Sequence, residues 1–254
     1  MVGIFRHSEL DSESIHANKN PLLEESTLID SDVRQNDRKF AFTLAEVLIT
    51  LGIIGVVAAM TIPNLMNTYK AKRLQTQFLK TYSVVQQAFK QMEADDVSLD
   101  PSTYDRHENP FYNIFKQYFK GVTYCKSSSK ACYSLQDVQG GYKNLTGNSK
   151  LASTYFDDCQ FVLPDGTLIN IDSPYIPGVS RVWVMPDING YNNPPNRLGY
   201  DLFVFEFKDG ELRTMGSEGT MYSDMDKYCS LTSSEALNGM ACSHKAKTDT
   251  DYFK

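Results

Sequence analysis

A single carboxylate interrupts a long apolar stretch near the start of the chain. Among the 23 residues from Phe40 to Ile62, Glu46 is the only charged one. At about 1.5 Å of rise per residue, this stretch makes a helix of roughly 35 Å, long enough to cross a hydrocarbon core of about 30 Å. A carboxylate there is costly unless it is paired, so the pattern predicts a functional group with a specific partner. The open alternative is a polar residue near the membrane surface.

A second set of oxygen-bearing side chains lies in the stretch PDINGYNNPPNRLGYD, residues 186–201. Asp187 and Asp201 flank a run that is rich in asparagine. Carboxylates, amide oxygens and free carbonyls are the ligands that Ca²⁺ prefers, so the stretch predicts a possible Ca²⁺ site between two strands. It is not an EF-hand, because Leu198 stands where such a loop needs a bidentate Glu. Asn-Gly and Pro-Pro are also ordinary turn residues, so an ordered loop without metal stays open.

Five cysteines follow the apolar stretch and none precedes it. This asymmetry suits a chain whose later part is exported to an oxidising compartment, although unpaired thiols in a reducing compartment remain the alternative. Short separations predict disulfides between Cys125 and Cys132 and between Cys229 and Cys242. Cys159 is then free, and other pairings stay open. No Cys-x-x-Cys pair is present, so the spacing does not indicate a zinc site.

The sequence shows no motif that is typical of catalysis. It lacks a G-x-S-x-G motif, a P-loop and a dinucleotide-binding fingerprint, so we expect that the protein is not an enzyme. The net charge is −6 and no basic stripe is present, which argues against a nucleic-acid partner.

One long helix must position the apolar stretch. After Pro63, apolar residues recur at steps of three and four, which is typical of one face of a helix. These residues are Leu74, Phe78, Tyr82, Val85, Phe89 and Met92. The pattern predicts a helix from about Thr43 to Met92, apolar all round in its first half and amphipathic in its second. Pro63 removes one backbone hydrogen bond and should kink it.

The rest of the chain changes to a period of two. Alternating segments with Pro-Asp-Gly and Lys-Asp-Gly turns predict an antiparallel sheet, and the amphipathic half of the helix can cover its apolar face. The segments lie at 159–172, 180–187 and 200–215. Residues 109–121 predict a short helix that ends at Gly121, and the polar tail from Met221 predicts loop. Residues 1–39 are polar with mixed charge, which is typical of disorder. The fold class is α+β.

Residues 38–65 resemble the N-terminal signature of type IV prepilins and of the pseudopilins of type II secretion. The family pattern is a polar leader that ends in a small residue, then Phe-Thr-Leu-x-Glu, then a long apolar helix. Here Ala41 precedes Phe42-Thr43-Leu44-Ala45-Glu46, and Pro63 stands where the family's helix bends. Ala41 replaces the usual glycine, and the 41-residue leader is long for the family.

The resemblance implies that a prepilin peptidase cuts after Ala41 and N-methylates Phe42. The new amine remains positively charged, and Glu46 of the same or a neighbouring subunit can pair with it strongly in a medium of low dielectric. The implied pilin-like chain has three parts. They are a cytoplasmic leader at 1–41, a transmembrane and assembly segment at 42–64, and an exported globular domain at 65–254.

The same resemblance implies a cellular location and a set of partners. A single-pass protein of the inner membrane would keep its N-terminus in the cytoplasm, as the basic Arg34, Arg38 and Lys39 favour. The implied partners are the peptidase, other pilin or pseudopilin subunits in a helical filament, the inner-membrane assembly platform and membrane lipid. Pilus, type II secretion and DNA-uptake roles are not separated by the sequence, nor are major and minor subunits.

Two further expectations remain open. A membrane-anchored extracytoplasmic binding domain that never assembles is the alternative to a filament subunit, and it predicts no processing at Ala41. Major pseudopilins carry a calcium site in a loop of the sheet domain, so the resemblance adds to the case for Ca²⁺ near Asp187 and Asp201.

Overall fold

The computed structural model describes residues 42–105, 108, 110–125, 141–173 and 181–253. The chain divides into two compact units, Met1–Leu51 and Gly52–Lys254. The leader, Ala41 and Cys132 lie outside the described residues, so the expectations that concern them stay predictions.

One long helix, α1, spans Leu44–Ala94 and is continuous through Pro63, where the expected bend stays a prediction. In its second half, buried residues recur at helical spacing and form one apolar face. These buried residues are Ala71, Phe78, Thr81, Val85, Ala88, Phe89 and Met92. The predicted long helix and the inward face of its second half are therefore confirmed.

Among the described residues, six strands form one antiparallel sheet in which neighbours in the chain are neighbours in the sheet. They are β1 Thr123–Tyr124, β2 Cys159–Val162, β3 Leu168–Asp172, β4 Arg181–Asp187, β5 Phe205–Lys208 and β6 Glu211–Thr214. Between β5 and β6, Asp209 and Gly210 have φ values of 53° and 78°. Two consecutive positive values suit the two-residue hairpin turn that the Lys-Asp-Gly sequence predicts.

Aromatic rings join the second half of α1 to the sheet. The centroid of the Phe78 ring lies 4.7 Å from that of Phe203 and 5.7 Å from that of Phe205. The Phe89 ring stacks on Phe207 with a centroid distance of 3.9 Å. The structure thus has the predicted α+β arrangement of a long helix packed on an antiparallel sheet.

The opposite face of the sheet is buried as well. Trp183 and Met185 of β4 pack there against Tyr142, Leu202 and Met240, which come from the segments before β2, before β5 and after β6. Side chains on both faces of the central strands are therefore covered, one face by the helix and the other by loop segments.

Residues 200–204 correct the predicted strand that begins at residue 200. The regular strand β5 begins at Phe205. Before it, Phe203 still donates to Pro186 of β4, but the Val204 N–H donates to the Ser243 Oγ at 2.7 Å, which interrupts the strand. Ser243 belongs to a helix, α4, which spans Cys242–Thr248.

The tail also differs from the predicted loop. It contains α4 and a short helix, α3, at Met225–Tyr228, which Asp224 caps by accepting the Lys227 N–H at 3.0 Å. The helix predicted at 109–121 is shorter than expected. It forms α2 at Phe111–Phe115, followed by a 3₁₀ turn at Lys116–Tyr118.

Candidate processing motif and acidic loop

The first turn of α1 holds the carboxylate singled out in the sequence. The Glu46 Oε2 atom accepts the Thr43 backbone N–H at 2.9 Å and the Thr43 hydroxyl at 2.9 Å. In return the Glu46 N–H donates to the Thr43 Oγ1 atom at 3.2 Å. This reciprocal pair is a capping box, in which Thr at the helix start and Glu three residues later satisfy each other's backbone N–H groups.

The capping box gives Glu46 a local partner before any cleavage. Sequence reasoning named only an amine as its partner, although the spacing of Thr43 and Glu46 is itself a helix-start pattern. Two partners are therefore available to one carboxylate: Thr43 in the same chain, and the amine that cleavage before Phe42 would create. The structure describes Phe42 but not Ala41, so it does not test the cut itself.

The first half of α1 presents its apolar side chains to the surroundings. Ile53 and Ile54 are 60% and 62% exposed, and α1 is the one helix among the described residues that is long and apolar enough to cross a membrane. Phe42, just before α1, is exposed as well. The other large exposed side chains from this half are Leu44, Val47, Leu48, Ile49, Leu51, Val56, Val57, Met60, Ile62, Leu65 and Met66.

The cysteines in the described part of the chain fall into bonded and free positions. Cys229 and Cys242 form a disulfide that ties the end of α3 to the start of α4. Cys125 is also disulfide-bonded, but its predicted partner Cys132 is not described. Cys159 is a free thiol, and burial raises its pKa to about 11, which makes it a poor nucleophile at neutral pH.

The loop after β4 brings its two aspartates together. β4 ends at Asp187, and the chain returns alongside it, because the Ile188 N–H donates to the Asp201 carbonyl at 2.8 Å. The next hydrogen bond between the same two segments runs from the Phe203 N–H to the Pro186 carbonyl at 3.0 Å. The sheet therefore positions both carboxylates at the point where its pairing gives way to the loop.

Each carboxylate is buried and hydrogen-bonded. Asp187 accepts the Tyr142 hydroxyl at 2.7 Å and the Gly190 N–H at 2.9 Å. Tyr142 is a member of the site that sequence reasoning missed, since it lies 45 residues earlier in a stretch with no clear pattern.

Asp201 has a different set of donors. Its two carboxylate oxygens accept the backbone N–H groups of Asn196 and Arg197 at 2.8 Å and 2.6 Å. Both donors belong to the loop that the two aspartates enclose, so this carboxylate ties the loop to the end of the sheet.

Burial is the largest cause of the raised pKa values of Asp187 and Asp201. Burial and, after it, the negative charge of Asp201 raise the pKa of Asp187 to about 7, against the hydrogen bond from the Tyr142 hydroxyl, which lowers it. Burial also raises the pKa of Asp201, although the N–H groups of Arg197 and Asn196 lower it. Two buried carboxylates this close are unfavourable when both are ionised, so a proton or a cation would stabilise them.

The oxygen atoms around Asp187 and Asp201 are of the types that Ca²⁺ binds. The Oδ1 atoms of Asn189 and Asn196 are buried and accept no hydrogen bond within the described residues. With Asp187 and Asp201 they make four side chains that carry six oxygens in all, and Ca²⁺ takes six to eight oxygen ligands. The described residues contain no group of three or more His, Cys, Asp or Glu side chains at metal-binding separation. A bound ion would depend on amide and carbonyl oxygens and would offset the repulsion between the carboxylates.

Comparison with protein families finds one match. The prokaryotic N-terminal methylation motif matches residues 36–62, which contain Ala41, Phe42, Glu46 and the first turns of α1. No curated protein and no solved structure matches the chain. The chain therefore carries the prokaryotic N-terminal methylation motif, the signature of type IV pilin and pseudopilin precursors.

Proposed function

We propose that this protein is a filament subunit, a type IV pilin or a type II secretion pseudopilin, that assembles through the first half of α1. The methylation motif supports a protein that is processed as prepilins are. The observation that carries the proposal is the exposed apolar first half of α1, with one carboxylate in its first turn. Taking a large apolar side chain out of water gains about 1.5–3 kcal/mol, so this surface needs lipid or other helices around it.

Processing would change the partner of Glu46. A cut after Ala41 turns the Phe42 backbone amide into an amine, which N-methylation leaves positively charged. The capping box with Thr43 satisfies Glu46 by neutral donors, whereas an amine would neutralise its charge. In an apolar surrounding the ionic pair is far stronger than in water, so an amine of the same or a neighbouring subunit can set the register between packed helices.

The proposed orientation places the N-terminus in the cytoplasm and residues 65–254 outside, in the periplasm or at the cell surface after assembly. Arg34, Arg38 and Lys39 directly precede the apolar stretch, which favours retention of that end. Lys70, Lys72 and Arg73 at the other end oppose this charge signal, so the orientation rests more on the methylation motif and on the disulfide. The disulfide between Cys229 and Cys242 suits an oxidising compartment for the other end.

The N-terminus of the membrane protein tests the processing on which assembly depends. Mass spectrometry of protein from cells with an active prepilin peptidase should find N-methyl-Phe42. Ala41→Arg should leave the full-length form, because a bulky charged side chain cannot enter a site that accepts a small residue. An intact terminus in the wild-type membrane protein would instead favour an anchored binding domain that does not assemble.

A further inference from the structure

The charges of α1 are distributed unevenly along the helix. Between Glu46 and Glu93 the helix carries five basic residues and no acidic residue. These basic residues are Lys70, Lys72, Arg73, Lys80 and Lys90. The whole chain, by contrast, has a net charge of −6, so the helix is a basic element in an acidic protein.

The five basic residues differ in their partners. Lys80 pairs with Asp165 of the β2–β3 turn at 2.8 Å, and Lys90 pairs with Glu93 at 2.8 Å. Lys70, Lys72 and Arg73 are exposed and form no ion pair within the described residues. The three unpaired charges are the three nearest to the exposed apolar half of the helix.

Their position along the helix matches the depth of a membrane surface. Met66 is the last of the exposed apolar side chains of the first half, and Lys70 follows after about 6 Å of helix rise. Tyr69, which is 69% exposed, lies between them, and tyrosine is enriched at the level of lipid headgroups.

The three basic residues and Tyr69 are spread over nearly half of the helix circumference. At about 100° per residue they spread over about 160° of the circumference, centred opposite Ala71, which is buried. A protein partner that docks on one side would meet a narrower stripe. A layer of headgroups surrounds a helix and can contact the whole spread.

We propose that Tyr69, Lys70, Lys72 and Arg73 form a basic collar that binds the phosphate headgroups of anionic phospholipids at the membrane surface. The long Lys and Arg side chains can reach toward phosphate oxygens on either side of their own depth. The collar fixes how deeply the apolar half sits in the bilayer, and its lipid contacts must be released when a subunit leaves the membrane. This inference rests on the membrane-spanning part of the proposed function.

Lipid selectivity of the full-length protein tests the collar. The protein is reconstituted in phosphatidylcholine vesicles, and electron paramagnetic resonance measures how strongly it immobilises spin-labelled phosphatidylglycerol relative to spin-labelled phosphatidylcholine. Wild type should favour the anionic lipid at least about twofold, and about 0.5 M NaCl should weaken the preference. The triple variant Lys70→Gln, Lys72→Gln, Arg73→Gln should clearly lower this ratio. The part of the preference that remains is set by the basic residues before the apolar stretch, Arg34, Arg38 and Lys39.

A charge-matched variant controls for net charge. Lys120→Gln, Lys150→Gln, Lys245→Gln removes three exposed lysines outside α1, and it should keep the wild-type preference. Inorganic phosphate should reduce the preference no more than chloride at the same ionic strength. Stronger competition by phosphate would mean that the collar binds the free anion, which overturns the proposal.

Two outcomes separate this inference from the proposed function. Resistance to alkaline extraction reports membrane insertion independently of lipid preference. If inserted wild-type protein shows a ratio of one, the collar does not select lipid and the anchor stands. If the triple variant also loses filament incorporation in that case, the three charges contact another subunit instead. Protein that does not insert would overturn the anchor and the collar together.

Discussion

The two halves of α1 share a backbone conformation and differ in what surrounds their side chains. Leu51 and Ile54 in the first half are 60% and 62% exposed, whereas Phe78 and Val85 in the second half are fully buried. Within the part of the chain that the structure describes, a sheet covers the second half and nothing covers the first. The helix α1 therefore extends beyond the half that packs on the sheet. Its apolar first half needs lipid or other helices around it.

The largest difference between the halves should appear on truncation of an apolar side chain. Phe89→Ala removes a ring that stacks on Phe207, so we expect a loss of about 3–5 kcal/mol in the free energy of unfolding. Val56→Ala in the first half should change it by less than about 0.5 kcal/mol. Guanidinium unfolding in detergent, followed by Trp183 fluorescence, measures both. Similar losses at the two positions would show that the halves are not independent.

The disulfide should contribute the next largest effect, again confined to the part of the chain that packs on itself. Cys229→Ala with Cys242→Ala should lower the free energy of unfolding by about 2–4 kcal/mol, because the bridge restricts the unfolded chain. Cys159→Ala is the matched control and should have a smaller effect, since that thiol is free. A double variant as stable as the control would contradict a stabilising bridge.

Protonation of Asp187 gives a smaller effect with a defined sign. Its pKa is raised to about 7 in the folded protein from an ordinary value of 3.8, so the folded state holds the proton more tightly. The associated stability is present below about pH 4 and is lost as the pH rises to about 7. With a chelator present, we expect the free energy of unfolding to fall by on the order of 2 kcal/mol over that pH window. Asp187→Asn should remove most of this pH dependence. Stability that rises over the same window in wild type but not in the variant would contradict the assignment.

Calcium should counter that decrease if the acidic loop binds it. Ionised carboxylates bind the cation, so millimolar Ca²⁺ should raise the melting temperature more at pH 8 than at pH 5. Asp187→Ala and Asp201→Ala should remove the rise. Equal wild-type melting temperatures with Ca²⁺ and with chelator would leave a metal-free ordered loop. A rise that persists in both variants would place the ion elsewhere.

The smallest effect concerns the start of the exposed half. Thr43→Ala removes the hydroxyl from the capping box and should cost about 1 kcal/mol at the helix end. Hydrogen exchange in detergent should show a faster Glu46 amide, while global unfolding stays unchanged. An unchanged exchange rate would mean that the cap does not hold the helix end in the mature protein.

Periodic and turn-forming segments were predictable from the sequence. The spacing of Phe78, Val85 and Phe89 identified the inward face of α1, because helix geometry places residues three and four apart on one side. The residues Pro164-Asp165-Gly166 located the β2–β3 hairpin because few residues adopt its turn. Residues 200–204 were wrongly placed within the regular strand. Phe203 still bonds to Pro186 of β4, but the Val204 N–H donates to Ser243 of α4, a contact that local sequence does not mark.

The acidic site was predictable only in part. Asp187 and Asp201 belong to one loop, so their proximity followed from local sequence. Tyr142 joins them through tertiary packing, with its ring stacked on Phe156 at a centroid distance of 4.9 Å, and no local pattern marks such a contact. The capping box of Thr43 and Glu46 was predictable from their spacing. It was missed because Glu46 was interpreted only as a charge within an apolar stretch.

Filament incorporation of Glu46 variants tests the central claim that the uncovered half of α1 is an assembly segment whose carboxylate pairs with a cleaved N-terminus. Glu46→Gln keeps a side chain that suits the capping box and removes the charge, whereas Thr43→Ala keeps the charge and removes the cap. The measurement is the fraction of mature protein in sheared or cross-linked filaments. Glu46→Gln and Glu46→Val should insert, be cleaved and fail to assemble, while Thr43→Ala should assemble. Wild-type incorporation of Glu46→Gln would show that Glu46 acts as a helix cap and would contradict the account.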